Sequence, residues 1–510
     1  MTQGGPVEGA AARIAAGRSH LAAGRAVEAG AAFEEAVARD PRDLEARLEL
    51  SSTLLTLQRF DAAEQHARAA LAIRPGHPAG VRALSSALQL QGRYADGLAF
   101  AGSVLASQPT HGEAWMAHGD SLANLGRQEE AIESYRHVLQ DPQVGFDALV
   151  RTGMMQGALG RGAAIDAFDA ALALNPDAVT PRFQRGLVRL ALHDFAAGWD
   201  DYEARWRSTR FVAVSRGIVP EPIVPMLAIG PSAQALAGRR VMLISEQGIG
   251  DAVMFSSMIP DLAGTAASVE CVCDPRLVRL FSASFEGVAF TPPHAARIDT
   301  DLIDDIVAMG SLGAAFRRNL TDFPGTPYLC PRREVRDRWA ARLGPRGDRL
   351  RIGLSWRGGT AATIQHSRSV SLDSLAPILG LPDCEFVSLQ YGDVAAEVAA
   401  ANVGRENQIR LFPKQDIDDF EELAGLVTNL DVVVSVQTSL VHLSGALGQT
   451  CLTLVPSTPA WRYGASGASI PWYRSVRLFR QSEYGDWTPV VAEVTQALRD
   501  RLGAAAQGAL

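Results

Sequence analysis

Residues 115–142 read WMAHGDSLANLGRQEEAIESYRHVLQDP, and this stretch decides the fold of the first part of the chain. Its small and aromatic residues have the spacing of two short antiparallel helices, and a proline ends the second helix. Similar stretches end in proline at intervals of 34, 34, 33 and 34 residues, at Pro41, Pro75, Pro109, Pro142 and Pro176. The pattern therefore predicts repeated helical pairs that bury their faces by stacking.

A fixed period of 34 residues is that of the tetratricopeptide repeat. Gly17 and Ala29 would let the two helices of the first unit approach closely, and Phe33 and Tyr135 would fill the space between units. Five units are clear, and a sixth, from about residue 180, ends in GWDDYEARW at 198–206. We predict an all-α tetratricopeptide solenoid over residues 1–206. Its concave groove would bind a protein or peptide, and a spacer or oligomerisation arm is the alternative.

Composition narrows the class of protein. The chain has 510 residues, enough for about three domains, and a net charge of −8, which gives no basic footprint for nucleic acid. Five unclustered cysteines favour a reducing compartment, and Cys271 and Cys273 lack the second pair that a metal site needs. The N-terminus shows no signal peptide, and the uncharged stretch 432–461 is too polar for a membrane span. We predict a cytoplasmic protein with no membrane span.

The pattern changes after residue 206. Residues 207–235 are rich in proline and predict a linker. Beyond them, short apolar runs alternate with helical stretches, which is typical of parallel α/β units. The division predicts two Rossmann-like halves facing a cleft, 236–345 and 346–510, with ligands bound after the carboxyl ends of the strands. The predicted strands are 240–245, 268–273, 287–290, 302–307, 351–356, 385–389, 409–412, 431–436 and 451–455.

The first candidate site segment is EQGIGD, residues 246–251, directly after a strand. Gly248 and Gly250 begin a G-x-G turn, but Val253 stands where a dinucleotide-binding fingerprint has its third glycine. A tight turn that presents the Asp251 carboxylate remains. The alternative is that Asp251 only caps the helix predicted over 252–262.

The second candidate segment is SVQTSLVHLSGALGQ, residues 435–449. Thr438 or Ser439 would cap a short helix over 440–447 that Gly448 closes. The free N–H groups and positive dipole end of such a helix suit a diphosphate. His442, in the first turn, could donate to the same phosphate, and a structural role is its alternative.

The third candidate set lies after two further strands. WRGG at 356–359 would allow a ligand close to the backbone, and SLQYG at 388–392 follows the neighbouring strand. Arg357 and Arg368 are cations that could neutralise a leaving diphosphate. Singly, each arginine could equally be a surface residue or an ion-pair partner.

As an ordered set, these segments resemble a known family. The chain is similar to bacterial proteins that join tetratricopeptide repeats to a GT-B-type glycosyltransferase domain related to the heptosyltransferases. Flagellin glycosyltransferases that load a nonulosonic acid have this architecture. The resemblance rests on GWDDYEARW, EQGIGD, IGLSWRGG, SRSVSL, VSLQ, TSLVHLSGALG and WYRSVRLFRQSEYGDW, the last at 472–487.

The resemblance implies a GT-B enzyme that uses a nucleotide-sugar as substrate, without a cofactor or a metal, and flagellin as its protein partner. Asp251, across the cleft, would be the general base, while His442, with Arg368, would stabilise the charge that builds on the leaving group. Heptosyltransferase-like sequences commonly have Asp where this chain has Gln437. Two D-x-D matches, at 299–301 and 416–418, are near chance in so acidic a chain, so we assign no metal. The predicted donor-binding residues are Gly248, Gly250, Trp356, Gly358, Arg368, Gln390, Gln437, Thr438 and Ser439.

The leading hypothesis from the sequence is therefore transfer of a sugar to a protein hydroxyl recruited by the repeats. A scaffold with a degenerate transferase domain is the main alternative, and Gln437 is the residue that favours it. A glycolipid acceptor is a third alternative, against which the protein-binding repeats and the absence of a membrane helix in the sequence argue.

Overall fold

A computed structural model describes residues 6–208, 227–228, 230–296, 302–345, 347–359 and 368–506. Contacts divide the chain into two compact units. One comprises Met1–Gly157 with Arg161–Asp177, and the other comprises Ala158–Gly160 with Ala178–Leu510. The first D-x-D match, at 299–301, and most of the predicted linker lie outside the described residues.

The first unit is a solenoid of paired helices, as the 34-residue period predicts. The two helices contact each other in each of the first four pairs, and the prolines of the period follow the second helix of a pair. The helices are α1 Pro6–Ala22, α2 Ala26–Arg39, α3 Leu44–Thr56, α4 Phe60–Ile73, α5 Pro78–Leu90, α6 Tyr94–Ser107, α7 Gly112–Asn124, α8 Gln128–Arg136, α9 Gly145–Ala158 and α10 Ala163–Leu174.

Small residues set the spacing of each helical pair. A Cβ atom on Gly119 would lie 2.4 Å from the ring of Tyr135, so the ring occupies the place of the missing side chain. Phe33 lies in the same way against Gly17, and it also joins a buried cluster with Leu50 of the next unit. The aromatic rings therefore fill space within units as well as between them. The sequence predicts only the packing of these rings between units.

The second unit begins with a sixth helical pair, α11 Val179–Ala191 and α12 Phe195–Tyr202, and continues into a short 3-10 helix, Glu203–Arg207. The sequence assigns this pair to the solenoid. Its buried residues belong instead to the same hydrophobic cluster as the α/β part of the chain.

The α/β part contains two parallel sheets. We call the first sheet with its helices and loops the first half, and the second sheet with its helices and loops the second half. In the first half the strand order is β1-β5-β2-β3-β4. Part of the predicted linker forms its edge strand, β1. The strands are β1 Leu227–Ala228, β2 Arg240–Ile244, β3 Ser268–Val272, β4 Val288–Thr291 and β5 Asp305–Ala308, and the helices are α13 Ala233–Leu236, α14 Ile249–Phe255, α15 Ile259–Ala263, α16 Pro275–Ser284 and α17 Leu312–Phe316.

In the second half the strand order is β11-β10-β9-β6-β7-β8, again all parallel. The strands are β6 Leu350–Ser355, β7 Cys384–Ser388, β8 Ile409–Arg410, β9 Val432–Val436, β10 Cys451–Val455 and β11 Val476–Arg480. The helices are α18 Arg333–Leu343, α19 Ala376–Leu379, α20 Ala395–Asn402, α21 Lys414–Ile417, α22 Phe420–Val427, α23 Ser439–Ala446 and α24 Thr488–Ala506.

The parallel α/β architecture is confirmed, and each predicted strand overlaps an observed one. Central strands such as β9 are buried along their whole length, which is why they read as continuous apolar runs. Strands β1 and β11 were not predicted. The first has only two residues, and in the second Arg477 and Arg480 interrupt the apolar pattern.

Candidate functional site

The candidate residues lie at the two places where strand order reverses. In the first half, the chain leaves β2 towards β3 and β4 and returns to the other side of β2 through β5. In the second half, β6 is followed by β7 and β8 on one side and by β9, β10 and β11 on the other. Parallel sheets bind ligands at the carboxyl ends of the strands that flank such a reversal. EQGIGD follows β2, while WRGG follows β6 and Gln437–Thr438 follow β9.

Asp251 does not cap its helix. Helix α14 begins at Ile249, with Gly248 as its N-cap, so Asp251 lies within the first turn. Its Oδ1 atom accepts hydrogen bonds from Nε and Nη2 of Arg462, which comes from the second half. Both side chains are largely buried, with 17% and 20% of their surfaces exposed. The capping alternative is therefore wrong, and Asp251 is a partner in an ion pair between the halves.

Gly250 is a contact point between the halves. A Cβ atom there would lie 3.2 Å from Cα of Ser439 and 3.4 Å from Cδ2 of His442. The absence of a side chain thus brings the start of α14 against the start of α23. We infer that Gly250 is required for this approach, whereas the sequence assigns it to donor binding.

Thr438 is the N-cap of helix α23, one of the two predicted candidates. Its Oγ1 atom accepts a hydrogen bond from the Leu440 N–H at 3.2 Å and lies 3.2 Å from Oγ of Ser435. The helix spans Ser439–Ala446, and Gly448, with a φ of +73°, follows its end as predicted. Ser439 occupies the first helical position, beside Gly250 of the first half.

Gln437 and Arg368 each have a buried hydrogen-bond donor without a partner among the described residues, near the start of helix α23. Gln437 is 1% exposed, and its Oε1 accepts a hydrogen bond from the Ala460 N–H at 3.3 Å. Its buried Nε2 has no hydrogen-bond partner among the described residues. Nη2 of Arg368 donates to the Gln437 backbone oxygen at 3.3 Å, while its buried Nε has no partner in the same part of the chain. Buried donors of this kind favour a ligand with acceptor oxygens.

His442 is a buried, neutral imidazole. It is 4% exposed, and its Nδ1 lies 3.2 Å from the hydroxyl of Tyr473. Burial disfavours the charged ring, and the guanidinium groups of Arg462 and Arg368 add repulsion, which together lower the pKa of His442 to about 3. At neutral pH His442 can therefore donate one N–H but cannot supply positive charge to a phosphate.

The neutral state of His442 predicts a pH dependence of stability. Between the folded pKa of about 3 and the unfolded value of 6.5, the unfolded chain binds one more proton than the native chain, so stability falls as pH falls. From about pH 7 to about pH 5, the free energy of unfolding should fall about 2 kcal/mol more in wild type than in His442→Gln. Tryptophan fluorescence reports this unit, because seven of the eight tryptophans lie at or beyond residue 199. Equal slopes for the two proteins would show that burial does not lower the pKa of His442 in the native state.

Three further predicted donor-binding residues are engaged within the protein. The Oε1 atom of Gln390 accepts hydrogen bonds from the backbone N–H groups of Trp356 and Arg357, each at 2.8 Å. Trp356 is fully buried and donates from Nε1 to Glu397 at 2.8 Å. A Cβ atom on Gly358 would lie 2.9 Å from the backbone oxygen of Gln437. These contacts shape the loops after β6 and β9.

The Arg357 side chain pairs with Glu397, the same carboxylate that accepts from Trp356. Its Nη1 pairs with Glu397 at 3.1 Å, and 35% of its side chain is exposed. The sequence names Arg357 and Arg368 together as possible phosphate partners. Of the two, Arg368 is the one that lies near Asp251 and Arg462.

Arg462 is a site residue that sequence reasoning missed. It follows β10, and Arg480 holds its loop by donating hydrogen bonds to backbone oxygens that include Gly464 at 3.2 Å and Ser466 at 3.1 Å. A signal was present, because Arg462 is the first charged residue after the uncharged stretch 432–461 and lies in the segment that follows the buried strand β10. Its distance in sequence from Asp251 concealed the pairing.

The electrostatics of the site favour an anion. Burial alone would lower the pKa of Arg462, but the negative charge of Asp251 outweighs this effect and raises it. Burial lowers the pKa of Arg368, with repulsion from Arg462 in addition. Two guanidinium groups thus face one carboxylate beside the positive end of α23. This arrangement is suited to a phosphate or diphosphate group.

The other sequence motifs do not form metal sites in the described part of the chain. No three His, Cys, Asp or Glu side chains of the described residues come together as metal ligands would. Cys271 and Cys273 are buried at the end of β3, and Asp416 of the second D-x-D match pairs with Arg342 at 2.6 Å. None of the described helices is long and apolar enough to cross a membrane.

The chain thus carries tetratricopeptide repeats followed by an α/β part with two parallel sheets, and comparisons with known proteins agree on the repeats. The Tetratricopeptide repeat family matches residues 14–78 and 82–144. A curated relative, Protein FlbA of Caulobacter vibrioides, is 28% identical over 451 residues, which cover 84% of this chain and 74% of that protein.

Solved structures of repeat proteins are similar to part of the chain. A thermophilic TPR protein of Thermus thermophilus is 21% identical, covering 36% of this chain and 99% of its own, with a TM-score of 0.32. PilW, a type IV pilus biogenesis factor, is 22% identical, covering 39% of this chain and 93% of its own, with a TM-score of 0.33.

Proposed function

We propose that this chain is a glycosyltransferase that moves a sugar from a nucleotide-sugar donor to a hydroxyl group of a protein bound by the repeats. One observation carries the proposal: the two strand-order reversals meet around Asp251, Arg462 and Arg368, beside the start of helix α23. A carboxylate next to an anion site suits transfer from a phosphate-linked sugar, because the carboxylate can accept the proton of the acceptor and the anion site can stabilise the leaving group. The resemblance to GT-B glycosyltransferases supports the same reaction.

The geometry suggests a division of roles. Donor phosphates would lie at the start of α23, with Arg368 and Arg462 stabilising the charge that builds on the leaving nucleotide. The acceptor oxygen would bond to the anomeric carbon as the bond from that carbon to the phosphate oxygen breaks. The hydroxyl proton would pass to Asp251. A bound phosphate would offer Arg462 a second anionic partner and loosen its hold on Asp251.

The repeats would supply the acceptor. A solenoid provides extended surface for protein binding, and holding an acceptor close to a site raises its effective concentration. Flagellin as the acceptor and a nonulosonic acid as the sugar are what the resemblance implies. A cytoplasmic location stays part of this proposal.

Two measurements test the proposed function. Purified protein should hydrolyse at least one nucleotide-sugar in a donor panel or transfer its sugar to an acceptor. The released nucleotide is measured by chromatography. Mass spectrometry of flagellin and of the total glycoproteome should show loss of a glycan in a deletion strain. Unchanged glycosylation in that strain, together with no turnover of any donor, would contradict the proposal.

A second candidate function is a protein-binding scaffold with an inactive transferase fold. The observations that favour it are the ion pair that occupies Asp251 and the presence of Gln437 where related sequences commonly have Asp. Calorimetry with nucleoside monophosphates and diphosphates separates the two candidates. A scaffold should bind none of them, whereas an enzyme should bind at least one.

A further inference from the structure

The motif GWDDYEARW, residues 198–206, is buried rather than exposed at the end of the repeats. Trp199, Tyr202 and Arg205 are 1%, 2% and 0% exposed. The last repeat of a solenoid normally presents a polar outer face to water. Here the corresponding face is aromatic, and a Cβ atom on Gly313 in α17 would lie 2.5 Å from the Trp199 ring. The motif is therefore built to pack on the α/β halves.

In the first half, the motif holds the beginning of the EQGIGD turn. Nε2 of Gln247 donates a hydrogen bond to the hydroxyl of Tyr202 at 2.6 Å. Nη2 of Arg205 donates to Oε1 of Glu246 at 3.2 Å and to Oγ of Ser311 at 2.7 Å, in the loop after β5. Glu246 and Gln247 are the first residues of the turn that ends in Asp251.

In the second half, the same helix contacts the neighbour of Arg462. The Trp461 ring lies 5.7 Å from the Trp199 ring at 89° and 6.0 Å from the Tyr202 ring. Phe255 of α14 also stacks on Trp461, with ring centroids 6.5 Å apart. The edge-to-face contact between Trp199 and Trp461 fixes the relative orientation of the two rings as well as burying surface.

We propose that Tyr202 and Trp199 are positioning residues of the site, holding the Asp251 turn and the Arg462 loop in register. The physical reason is that Gly248, the N-cap, and Gly250, in the first turn of α14, give the backbone that leads to Asp251 little intrinsic stiffness. Small misplacements of a catalytic group are costly to rate, so external support of such a turn matters. The importance of this support for turnover rests on the proposed function, whereas the support itself does not.

The test is Tyr202→Phe in the full-length protein, which removes the hydroxyl that Gln247 contacts and keeps the ring. Loss of this buried hydrogen bond should speed amide hydrogen exchange in residues 246–251 and lower kcat, each about tenfold, with KM for the nucleotide-sugar within about twofold. Asp200→Asn is the matched control, because Asp200 lies in the same helix and pairs at the surface with Arg318 at 3.0 Å. It should change neither quantity.

The outcomes separate the two claims. Faster exchange in the turn without any wild-type turnover would overturn the proposed function and leave the positioning role standing. Unchanged exchange and unchanged kcat in Tyr202→Phe would overturn the positioning role. A fall in kcat together with faster amide hydrogen exchange throughout the second unit, and not only in residues 246–251, would also overturn the positioning role. Such a result would mean general destabilisation. If Tyr202→Phe does not fold, Gln247→Met removes the same hydrogen bond from its other side.

Discussion

Replacing Asp251 by asparagine is expected to lower the rate of sugar transfer by about 100- to 10,000-fold, the usual contribution of a general base. Asparagine keeps the size of the side chain and can still accept a hydrogen bond from Arg462, but it cannot take the proton of the acceptor hydroxyl. Steady-state turnover with a saturating nucleotide-sugar measures the effect. Binding of the nucleotide should not weaken, because the arginines and helix α23 remain and a negative charge beside the anion site is removed.

Asp305→Asn is the control for this prediction. Asp305 also pairs with an arginine, Arg239 at 2.7 Å, but it is the first residue of β5. It therefore lies at the amino-terminal ends of the strands, opposite the candidate site. Its replacement should leave turnover within about twofold of wild type, as surface ion pairs contribute little. Equal turnover in Asp251→Asn and wild type would remove Asp251 from the mechanism. Such a result would leave the role of Arg462 to be tested separately.

Replacing Arg462 by methionine is expected to weaken binding of a nucleoside diphosphate about 10- to 100-fold. A hydrogen bond between a guanidinium group and a phosphate contributes about 1.5–3 kcal/mol, and the variant also leaves Asp251 unneutralised beside the anion site. Methionine retains most of the apolar length of the side chain, so the packing of Trp461 against it should survive. Isothermal titration calorimetry measures the change directly.

The shape of the Arg462 side chain should matter as well as its charge. Lysine at this position keeps the positive charge but lacks the planar fork that lets Arg462 donate from Nε and Nη2 to Asp251. Arg462→Lys should therefore recover part of the affinity and less of the rate. The control is Arg239→Met at the far edge of the sheet, which should bind as wild type does. An unchanged dissociation constant in Arg462→Met would exclude this residue from phosphate binding.

Much of the fold could be predicted from the sequence because its signals are local. The 34-residue spacing of prolines reports where each second helix ends, and the apolar runs report buried parallel strands. Thr438 and Gly448 mark the ends of helix α23 through their own backbone preferences, and both are confirmed. Each of these features depends on residues within a few positions of one another.

The candidate site could be predicted only as separate segments. Asp251 and Arg462 lie 211 residues apart in sequence, so no local pattern pairs them. The burial that makes His442 neutral depends on residues around it from several elements, including Tyr463 and Tyr473. The roles of Trp356 and Gln390 inside the protein also depend on contacts between strands that are distant in sequence.

The sequence by itself determined the repeated helical pairs, the parallel strands and the positions after those strands where the candidate site residues lie. Periodicity, helix caps and turn residues act over a few residues. Because their range is short, they can be recognised in the sequence. Only the tertiary structure decided that Asp251 meets Arg462, that Gly250 serves the contact between halves, and that the sixth helical pair packs on the α/β part. These outcomes arise from burial and charge in three dimensions, where the partners come from different elements.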